Sequence, residues 1–243
     1  MNIKAMMDRV LFALSVPKCV CCKTRLNYGE NALCLDCSAE FEEFKTRNCS
    51  RCARKLNECD CSNDFLEAHY VKRVIKCFRY LNRNEAMPGN ALIYSLKRDN
   101  RSDVLKRCAD ELEIALGNSI ENPSKYIFTN VPRRKSAIIE HGIDHSAILS
   151  AELAKRFNAE YRPLLKSNAK KPQKSLETAD RFKNADFYIS KDVDLTGKAV
   201  ILVDDIITSG ASMSKAASLI RSLGCREIIA ASLAIAYKDS YYH

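Results

Sequence analysis

The chain has 243 residues, of which 47% are hydrophobic and 28% are charged, and its formal net charge is +9 at pH 7. These values are typical of a globular protein with one large domain or two smaller ones. No apolar run approaches the roughly 20 residues that span a bilayer, so we expect no transmembrane segment. The positive charge permits nucleic-acid binding without requiring it.

The first apolar segment is VLFALSV at residues 10–16, directly after Arg9. Asp8 in the would-be charged region and Pro17 after the segment make a signal peptide a poor interpretation. Apolar residues recur at helical spacing between residues 3 and 14, which favours an amphipathic helix. We expect this helix to pack on its own protein rather than to anchor it in a membrane.

Eight of the twelve cysteines form four close pairs. A pair can bind one tetrahedral ion through two sulfurs, and two pairs complete a closed structural site. The spacing therefore predicts one or two structural zinc ions, and it leaves open whether the pairs combine in sequence order or in a crossed arrangement. The predicted metal ligands are Cys19, Cys22, Cys34, Cys37, Cys49, Cys52, Cys59 and Cys61.

Two alternatives for these cysteines are a disulfide framework and a redox motif. A chain without a convincing secretion signal is expected to keep its thiols reduced, and four pairs exceed what one exchange site needs. Cys21 is expected to be a spectator, while Cys77, Cys108 and Cys225 are interpreted as small core residues. The predicted organisation is a zinc-binding domain with its N-terminal helix at residues 1–65 and a second domain at residues 66–243.

From about residue 66, strand-like and helical segments alternate, which predicts an α/β fold with a doubly wound parallel sheet. Ser102 is the expected N-cap of the first of these helices, and residues 83–90 are interpreted as a loop. The predicted strands are residues 74–81, 126–132, 199–205 and 227–236, and the predicted helices are residues 102–116, 143–157 and 212–224.

The segment VDDIITSGAS places two carboxylates and a hydroxyl-rich turn between a strand and a helix. Backbone N–H groups of the turn Thr208–Ser212, at the start of a helix, suit a phosphate, and Gly210 lets the backbone come close. Asp204 and Asp205 would repel a bare phosphate, so the ligand should also carry a diol or bring a cation. Vicinal ribose hydroxyls are good donors to carboxylates. The pattern therefore predicts a site for a ribose 5-phosphate.

Basic residues follow another predicted strand. Arg133, Arg134 and Lys135 come after the strand at residues 126–132, where they could neutralise a diphosphate. Ligands of such sheets bind beyond the carboxyl ends of the strands, where both motifs lie. A lysine-rich stretch at residues 170–174 with little apolar content is interpreted either as a lid or as a solvated linker.

VILVDDIITSGAS resembles the motif that binds phosphoribosyl pyrophosphate (PRPP) in type I phosphoribosyltransferases. With the cysteine pairs, SLKR (95–98), VPRRK (131–135) and KPQKSLETADRFKN (171–184), residues 19 to about 236 resemble the ComF family of competence-associated proteins. The segment EHGIDHS (140–146) departs from the family pattern, since only Gly142 and Asp144 match.

The resemblance implies a type I phosphoribosyltransferase-like fold with a pyrophosphate loop at Pro132–Lys135 and a hood at residues 167–183, and it implies Mg²⁺ bound with PRPP. The expected PRPP-binding residues are Pro132, Arg133, Lys135, Asp204, Asp205, Ile206, Ile207, Thr208, Ser209, Gly210, Ala211 and Ser212. The expected catalytic residues are Arg133, Arg134, Asp204 and Asp205, and the expected hood residues are Lys170, Lys171, Gln173, Lys174 and Arg181.

Three functions fit these motifs. The preferred hypothesis, implied by the resemblance, is a cytoplasmic or peripheral inner-membrane protein that handles incoming single-stranded DNA beside uptake-channel, helicase or recombination proteins. The alternatives are an active phosphoribosyltransferase with an unknown acceptor and a PRPP-sensing regulator. Basic and aromatic residues interleave in one segment, as in single-strand binders, although an ordinary amphipathic strand has the same pattern. The candidate nucleic-acid residues are Lys72, Arg73, Lys76, Phe78, Arg79, Tyr80 and Arg83.

Overall fold

A computed structural model describes residues 17–80, 87–133, 138–139, 142–167, 187–190 and 193–236. The predicted N-terminal helix lies outside these residues. Among the residues described, no helix has the length and apolar character needed to cross a membrane.

The centre of the fold is a sheet of five parallel strands in the order β1-β7-β6-β2-β3. A separate antiparallel pair is formed by β4 and β5. The strands are β1 (Val74–Tyr80), β2 (Tyr126–Asn130), β3 (Glu160–Tyr161), β4 (Leu165–Ser167), β5 (Phe187–Ile189), β6 (Ala199–Ile207) and β7 (Glu227–Ala236). The four strands predicted from the sequence are thus present, at slightly different bounds.

Helices cover both faces of the sheet. They are α1 (Leu35–Lys45), α2 (Asp64–Ala68), α3 (Pro88–Arg98), α4 (Ser102–Ser119), α5 (His145–Arg156) and α6 (Ala211–Arg221), with short 3₁₀ turns at Leu56–Glu58 and Pro123–Lys125. Strand β6 shows the two layers by alternation, because successive side chains of a strand point to opposite faces. Ile201 and Val203 join the core under α3, α4 and α5, whereas Val200 and Leu202 join the core under α6. The predicted doubly wound α/β fold is confirmed.

Two local predictions were wrong. Residues 88–90 were expected in a loop, but they begin helix α3, with Pro88 in its first turn, where the missing N–H is not needed. Gly89 is required there because a Cβ atom would lie 2.7 Å from the ring of Phe78. Ser102 is not the N-cap of α4; Arg101 occupies that position, and no side chain caps the helix.

The cysteine-rich head, residues 17–63, packs against the sheet. Phe41 and Phe44 of α1 lie beside Phe78 of β1, with ring centroids 5.3 Å and 6.5 Å away. Lys45 at the end of α1 forms a buried ion pair with Glu111 of α4. Apolar and ionic contacts therefore both join the head to the rest of the chain, while the division at residue 65 stays a prediction.

Candidate functional site

Each half of the head begins with the same tight turn. In the first turn Lys23 N donates to Cys19 O (3.1 Å), and in the second Ala53 N donates to Cys49 O (2.9 Å). Lys23 and Ala53 both adopt the left-handed conformation, with φ of 65° and 59°. This shared backbone brings the two sulfurs of each Cys-x-x-Cys pair toward one point.

The four pairs combine in sequence order. Within each set of four cysteines the sulfur atoms all lie within 4.8 Å of one another, so each set could hold one metal ion. The spacing of the sequence had left the pairing open, and the folded chain resolves it. The sets are Cys19, Cys22, Cys34 and Cys37, and Cys49, Cys52, Cys59 and Cys61.

A buried lysine lies against the second set. Lys76 of β1 is fully buried, and its Nζ donates to Cys59 O (3.0 Å), Cys61 O (2.9 Å) and Val74 O (3.2 Å). It also lies 3.4 Å from the Cys59 sulfur. The ammonium group therefore connects the second cysteine set to the sheet and places a positive charge beside its sulfurs.

The second candidate site lies at the carboxyl end of β6. Asp205 is buried between two cations: Arg133 Nη2 lies 2.8 Å from its Oδ2, and Lys97 Nζ lies 3.4 Å from its Oδ1. Asp204 is half-buried and accepts hydrogen bonds from Ser146 Oγ (3.0 Å) and from the backbone N of Asp205 (2.9 Å). Neighbours in sequence, the two acids thus have different partners.

Those partners give the two carboxyls opposite pKa shifts. Burial and the charge of Asp205 raise the pKa of Asp204 to about 7, although Lys97 and the two hydrogen bonds act against the rise. For Asp205 burial also opposes ionisation, but the charges of Lys97 and Arg133 outweigh it and hold the pKa below its usual value. Near neutral pH, Asp205 is an ionised partner of cations and Asp204 titrates.

A histidine orients Arg133 from the other side. Arg133 Nη1 donates to His145 Nδ1 (3.0 Å), so the ring proton lies on Nε2, which contacts Asn100 Oδ1 at 3.0 Å. His145 is the first residue of α5 and is 1% exposed. Asp144, the N-cap of α5, accepts from the backbone N of Arg133 (3.3 Å). The start of α5 therefore fixes both the backbone and the guanidinium of Arg133.

The turn after β6 leads into α6 as the sequence predicts. Gly210 is the N-cap of α6 with φ of 87°, a conformation that favours glycine. A Cβ atom there would lie 2.7 Å from Leu66 of α2, so close packing also requires glycine. Thr208 is exposed and Ser212 is half-buried, and Ser209 Oγ accepts from Ala211 N (3.4 Å).

The structure brings together part of the predicted ligand site. Asp204, Asp205 and Arg133 meet at the carboxyl ends of the strands, and Pro132 precedes Arg133 there. The predicted residues Arg134, Lys135, Lys170, Lys171, Gln173, Lys174 and Arg181 lie outside the described residues. In the sequence, β4 comes just before the predicted hood segment and β5 comes just after it. The two strands pair with each other, with Ser167 opposite Phe187.

Four residues of this site were not on the predicted list. Lys97 lies in SLKR, where only a resemblance pointed to it, and His145 lies in EHGIDHS, the segment that departs from the family pattern. Ser146 and Asn100 carried no recognisable signal. A buried histidine beside an Asp N-cap could have been inferred from the apolar spacing of α5, since position 145 shares a face with Leu149 and Leu153.

The predicted nucleic-acid strand needs correction. Lys76 and Phe78 are fully buried, the first against the second cysteine set and the second beneath α1, so neither can contact nucleic acid. Arg73 forms ion pairs with Asp60 (3.1 Å) and Glu227 (3.2 Å). Arg79 and Tyr80 are half-buried, Lys72 is exposed, and Arg83 lies outside the part of the chain that the structure covers.

Known proteins are similar to parts of this chain. The family model of the phosphoribosyl transferase domain matches residues 142–242, which include β6 and the turn after it. Ribose-phosphate pyrophosphokinase of Pyrococcus abyssi is 57% identical over 37 residues, which is 15% of this chain and 13% of that protein. The crystal structure of an adenine phosphoribosyltransferase superimposes with a TM-score of 0.41 and 16% identity, over 58% of this chain and 74% of that one. The match to the family model thus assigns a phosphoribosyl transferase domain to residues 142–242, behind the cysteine-rich head.

Two relatives extend over the head as well. Competence protein F of Haemophilus influenzae is 25% identical over 87% of this chain and 93% of its own length. Competence protein ComFC of Streptococcus pneumoniae is 23% identical over 86% of this chain and 90% of its own length. The chain is therefore a homologue of the ComF competence proteins, as its motifs predict.

Proposed function

We propose that this chain is a competence protein that handles single-stranded DNA and binds PRPP, or a related ribose phosphate, at the carboxyl end of β6. The observation that carries the proposal is the acid pair followed at once by the glycine turn that starts α6. An acid pair alone would suit a cation, and a helix start alone would suit an anion. Together they match a sugar phosphate, which offers hydroxyl donors and a phosphate group.

The roles of the two acids differ in this proposal. Asp204 is half-buried and forms no ion pair with a described residue, so its carboxylate is the one that accepts hydrogen bonds from the ribose diol. Asp205, held between Lys97 and Arg133, sets the position of the two cations that face a diphosphate. The 5′-phosphate binds to the backbone N–H groups of the turn at residues 208–212.

Mg²⁺ is expected to arrive with the diphosphate rather than to be held by the protein alone, because Mg²⁺ commonly binds through one or two carboxylates and substrate phosphates. Asp204 is the carboxylate that could contribute. If the site turns over, Arg133 stabilises the leaving pyrophosphate by charge. An active phosphoribosyltransferase and a PRPP-sensing regulator share this geometry and differ only in turnover.

We propose zinc for both cysteine sets. Zn–S bonds of about 2.3 Å place tetrahedral sulfurs roughly 3.8 Å apart, and the Cys22–Cys34 and Cys52–Cys59 sulfurs lie 3.5 Å apart. Four thiolates leave no open position on the ion, which is typical of a structural site. The role of the ions is to fold the head onto the sheet.

The handling of DNA is supported by the two competence proteins that match nearly the whole chain and by the net charge of +9. Single strands are bound by basic surfaces with exposed aromatic rings. The strand first suggested for this contact is buried at Lys76 and Phe78, so another surface must supply it.

The test is calorimetric titration of the zinc-loaded protein with Mg–PRPP, with Asp204→Asn as the matched variant. Asparagine keeps the size of the side chain but removes the charge. We expect the wild-type protein to bind and the variant to lose at least tenfold in affinity, followed by assays of pyrophosphate release with nucleobases and with single-stranded DNA. Absence of binding by the wild-type protein would refute the ribose-phosphate site.

A further inference from the structure

A second surface lies at the end of the sheet where the parallel strands begin. The acid pair lies at the other end, where the strands finish. A cleft of about 240 Å³ is formed where β1 and β7 begin. Because all strands of the sheet are parallel, the carboxyl end of β6, with Asp204 and Asp205, lies at the opposite end of the strands. The residues that line this amino-end cleft are Tyr70, Lys72, Arg73, Arg221, Cys225, Arg226, Glu227 and Ile228.

The amino-end cleft carries an excess of positive charge. Four of its residues are basic and one, Glu227, is acidic. Glu227 is already paired with Arg73 at 3.2 Å. Lys72, Arg221 and Arg226 are exposed. Three cations on one rim suit a polyanion whose charges are spaced along a chain.

Tyr70 is an aromatic side chain in a backbone position that favours glycine. Helix α2 ends in a Schellman motif, in which Tyr70 N donates to Glu67 O (3.0 Å) and Val71 N donates to Leu66 O (2.8 Å). Tyr70 occupies the left-handed position of this motif, with φ of 64°. Bulky residues are rarely found there, and strain of this kind is concentrated at functional sites.

The ring of Tyr70 is presented to solvent rather than packed. It is 73% exposed. Arg221 Nη2 donates to the Tyr70 carbonyl (2.9 Å), and its guanidinium lies 6.0 Å from the ring centroid. The backbone of Tyr70 is thus held by hydrogen bonds while one aromatic face remains open beside three cations.

We propose that the amino-end cleft binds single-stranded nucleic acid, with a base stacked on Tyr70 and the adjoining phosphates on Lys72, Arg221 and Arg226. A stacking ring can reach a base only where the base is not already stacked within a duplex, which favours a single strand. The inference rests on the proposed handling of DNA and assigns it a surface. It places that surface away from the ribose-phosphate site, so both ligands can bind together.

Fluorescence anisotropy with a labelled oligo-dT of about 15 nucleotides, within the length that one single-strand site covers, tests the proposal. Tyr70→Gly removes the ring and relieves the backbone, so we expect thermal stability within about 2 °C of wild type. Affinity should fall by about fivefold to 100-fold, the usual loss for one stacked base. Tyr70→Phe keeps a stacking ring and should bind within twofold of wild type.

Tyr28→Gly is the matched control, because Tyr28 is also exposed, at 55%, but lies in the head outside the cleft. It should leave the affinity unchanged. The charge component is tested by the double variant Lys72→Gln/Arg226→Gln, for which the slope of log affinity against log salt should decrease by about 0.7 per lost contact.

Equal binding by wild type and Tyr70→Gly would overturn the inference while leaving DNA handling intact. Equal competition by a duplex of the same length, or by poly-glutamate, would also overturn it, because the surface would then attract any polyanion. If the wild-type protein binds no oligonucleotide, the proposed handling of DNA fails together with its surface.

Discussion

The head and the carboxyl end of the sheet both bury charged groups, but the groups are stabilised in different ways in the two regions. In the head, eight sulfurs are gathered in two sets, and the buried ammonium group of Lys76, which comes from β1, is bound by backbone carbonyls. At the carboxyl end of the sheet, Asp205 is held by two charged side chains, whereas Asp204 forms no ion pair within the described part of the chain. We therefore expect the head to depend on a bound metal ion, whereas Asp205 at the carboxyl end of the sheet is balanced by Lys97 and Arg133.

Removal of the metal should give the largest loss of stability. The head contributes Phe41 and Phe44 to the shared core, but its own second half has a core of only Cys49, Leu56 and Cys59. Structural zinc typically contributes about 10 kcal/mol or more to folding a small domain. We expect a strong zinc chelator to lower the unfolding midpoint by more than 10 °C in calorimetry.

Zinc content measured in parallel is the control for that experiment, and re-addition of zinc should restore the midpoint. A chelated protein that has lost its zinc and still unfolds at the original temperature would show that the head folds without an ion.

Asp205→Asn should give the next largest loss of stability. The substitution leaves Lys97 and Arg133 without their shared anion, at exposed fractions of 31% and 16%. Breaking a fully buried pair costs about 3–5 kcal/mol, and the partial exposure of both cations reduces this to about 2 kcal/mol. The unfolding midpoint should fall by about 4–8 °C at pH 7. A midpoint equal to wild type would show that the two cations do not depend on this acid.

Lys76→Met tests the head with a smaller change. Methionine fills a similar volume but cannot donate to Cys59 O and Cys61 O. Because removing one partner of buried hydrogen bonds is destabilising, we expect a lower unfolding midpoint in a protein that still folds while zinc is bound. Metal affinity should fall by about tenfold, as is typical when a group that supports metal ligands is removed.

Competition with a chromophoric chelator measures this loss for the zinc-loaded protein. Release of only one of the two ions would identify the second cysteine set as the one affected. Identical zinc retention by the variant and the wild type would argue that the ammonium group supports the backbone alone.

Asp204→Asn should change stability in the opposite direction from Asp205→Asn. The pKa of Asp204 is raised to about 7 in the folded state, so the folded protein binds a proton that the unfolded chain has lost. Wild-type stability therefore falls as pH rises from about 4 through 7. The neutral asparagine has no such dependence, so the variant should be more stable than wild type at pH 8, with no gain at pH 4.

Thermal unfolding from pH 4 to pH 8 measures that difference. A constant gap between variant and wild type across this range would mean that Asp204 does not titrate near neutrality. The same variant is expected to lose ribose-phosphate binding, which would separate a gain in stability from a loss of function.

The sequence predicts the sheet, the paired cysteines and the acid–glycine turn because each depends on local spacing. It does not predict the partners of the acids, since Lys97, Arg133 and His145 come from three separate segments that meet only in the fold. The interpretation of Lys76 and Phe78 as a basic, aromatic surface was wrong for the same reason. The alternation of side chains along β1 indicates that the strand has two faces. The sequence does not show that α1 and the second cysteine set cover these faces, because that depends on how the folded chain packs.

Helix α2 has a consequence for how such chains can diverge. A Cβ atom on residue 210 would lie 2.7 Å from Leu66, so a side chain at position 210 fits only if residue 66 moves or becomes smaller. Far apart in sequence, the two positions share one volume. Among descendants of a common ancestor we therefore expect these two positions to change together or not at all.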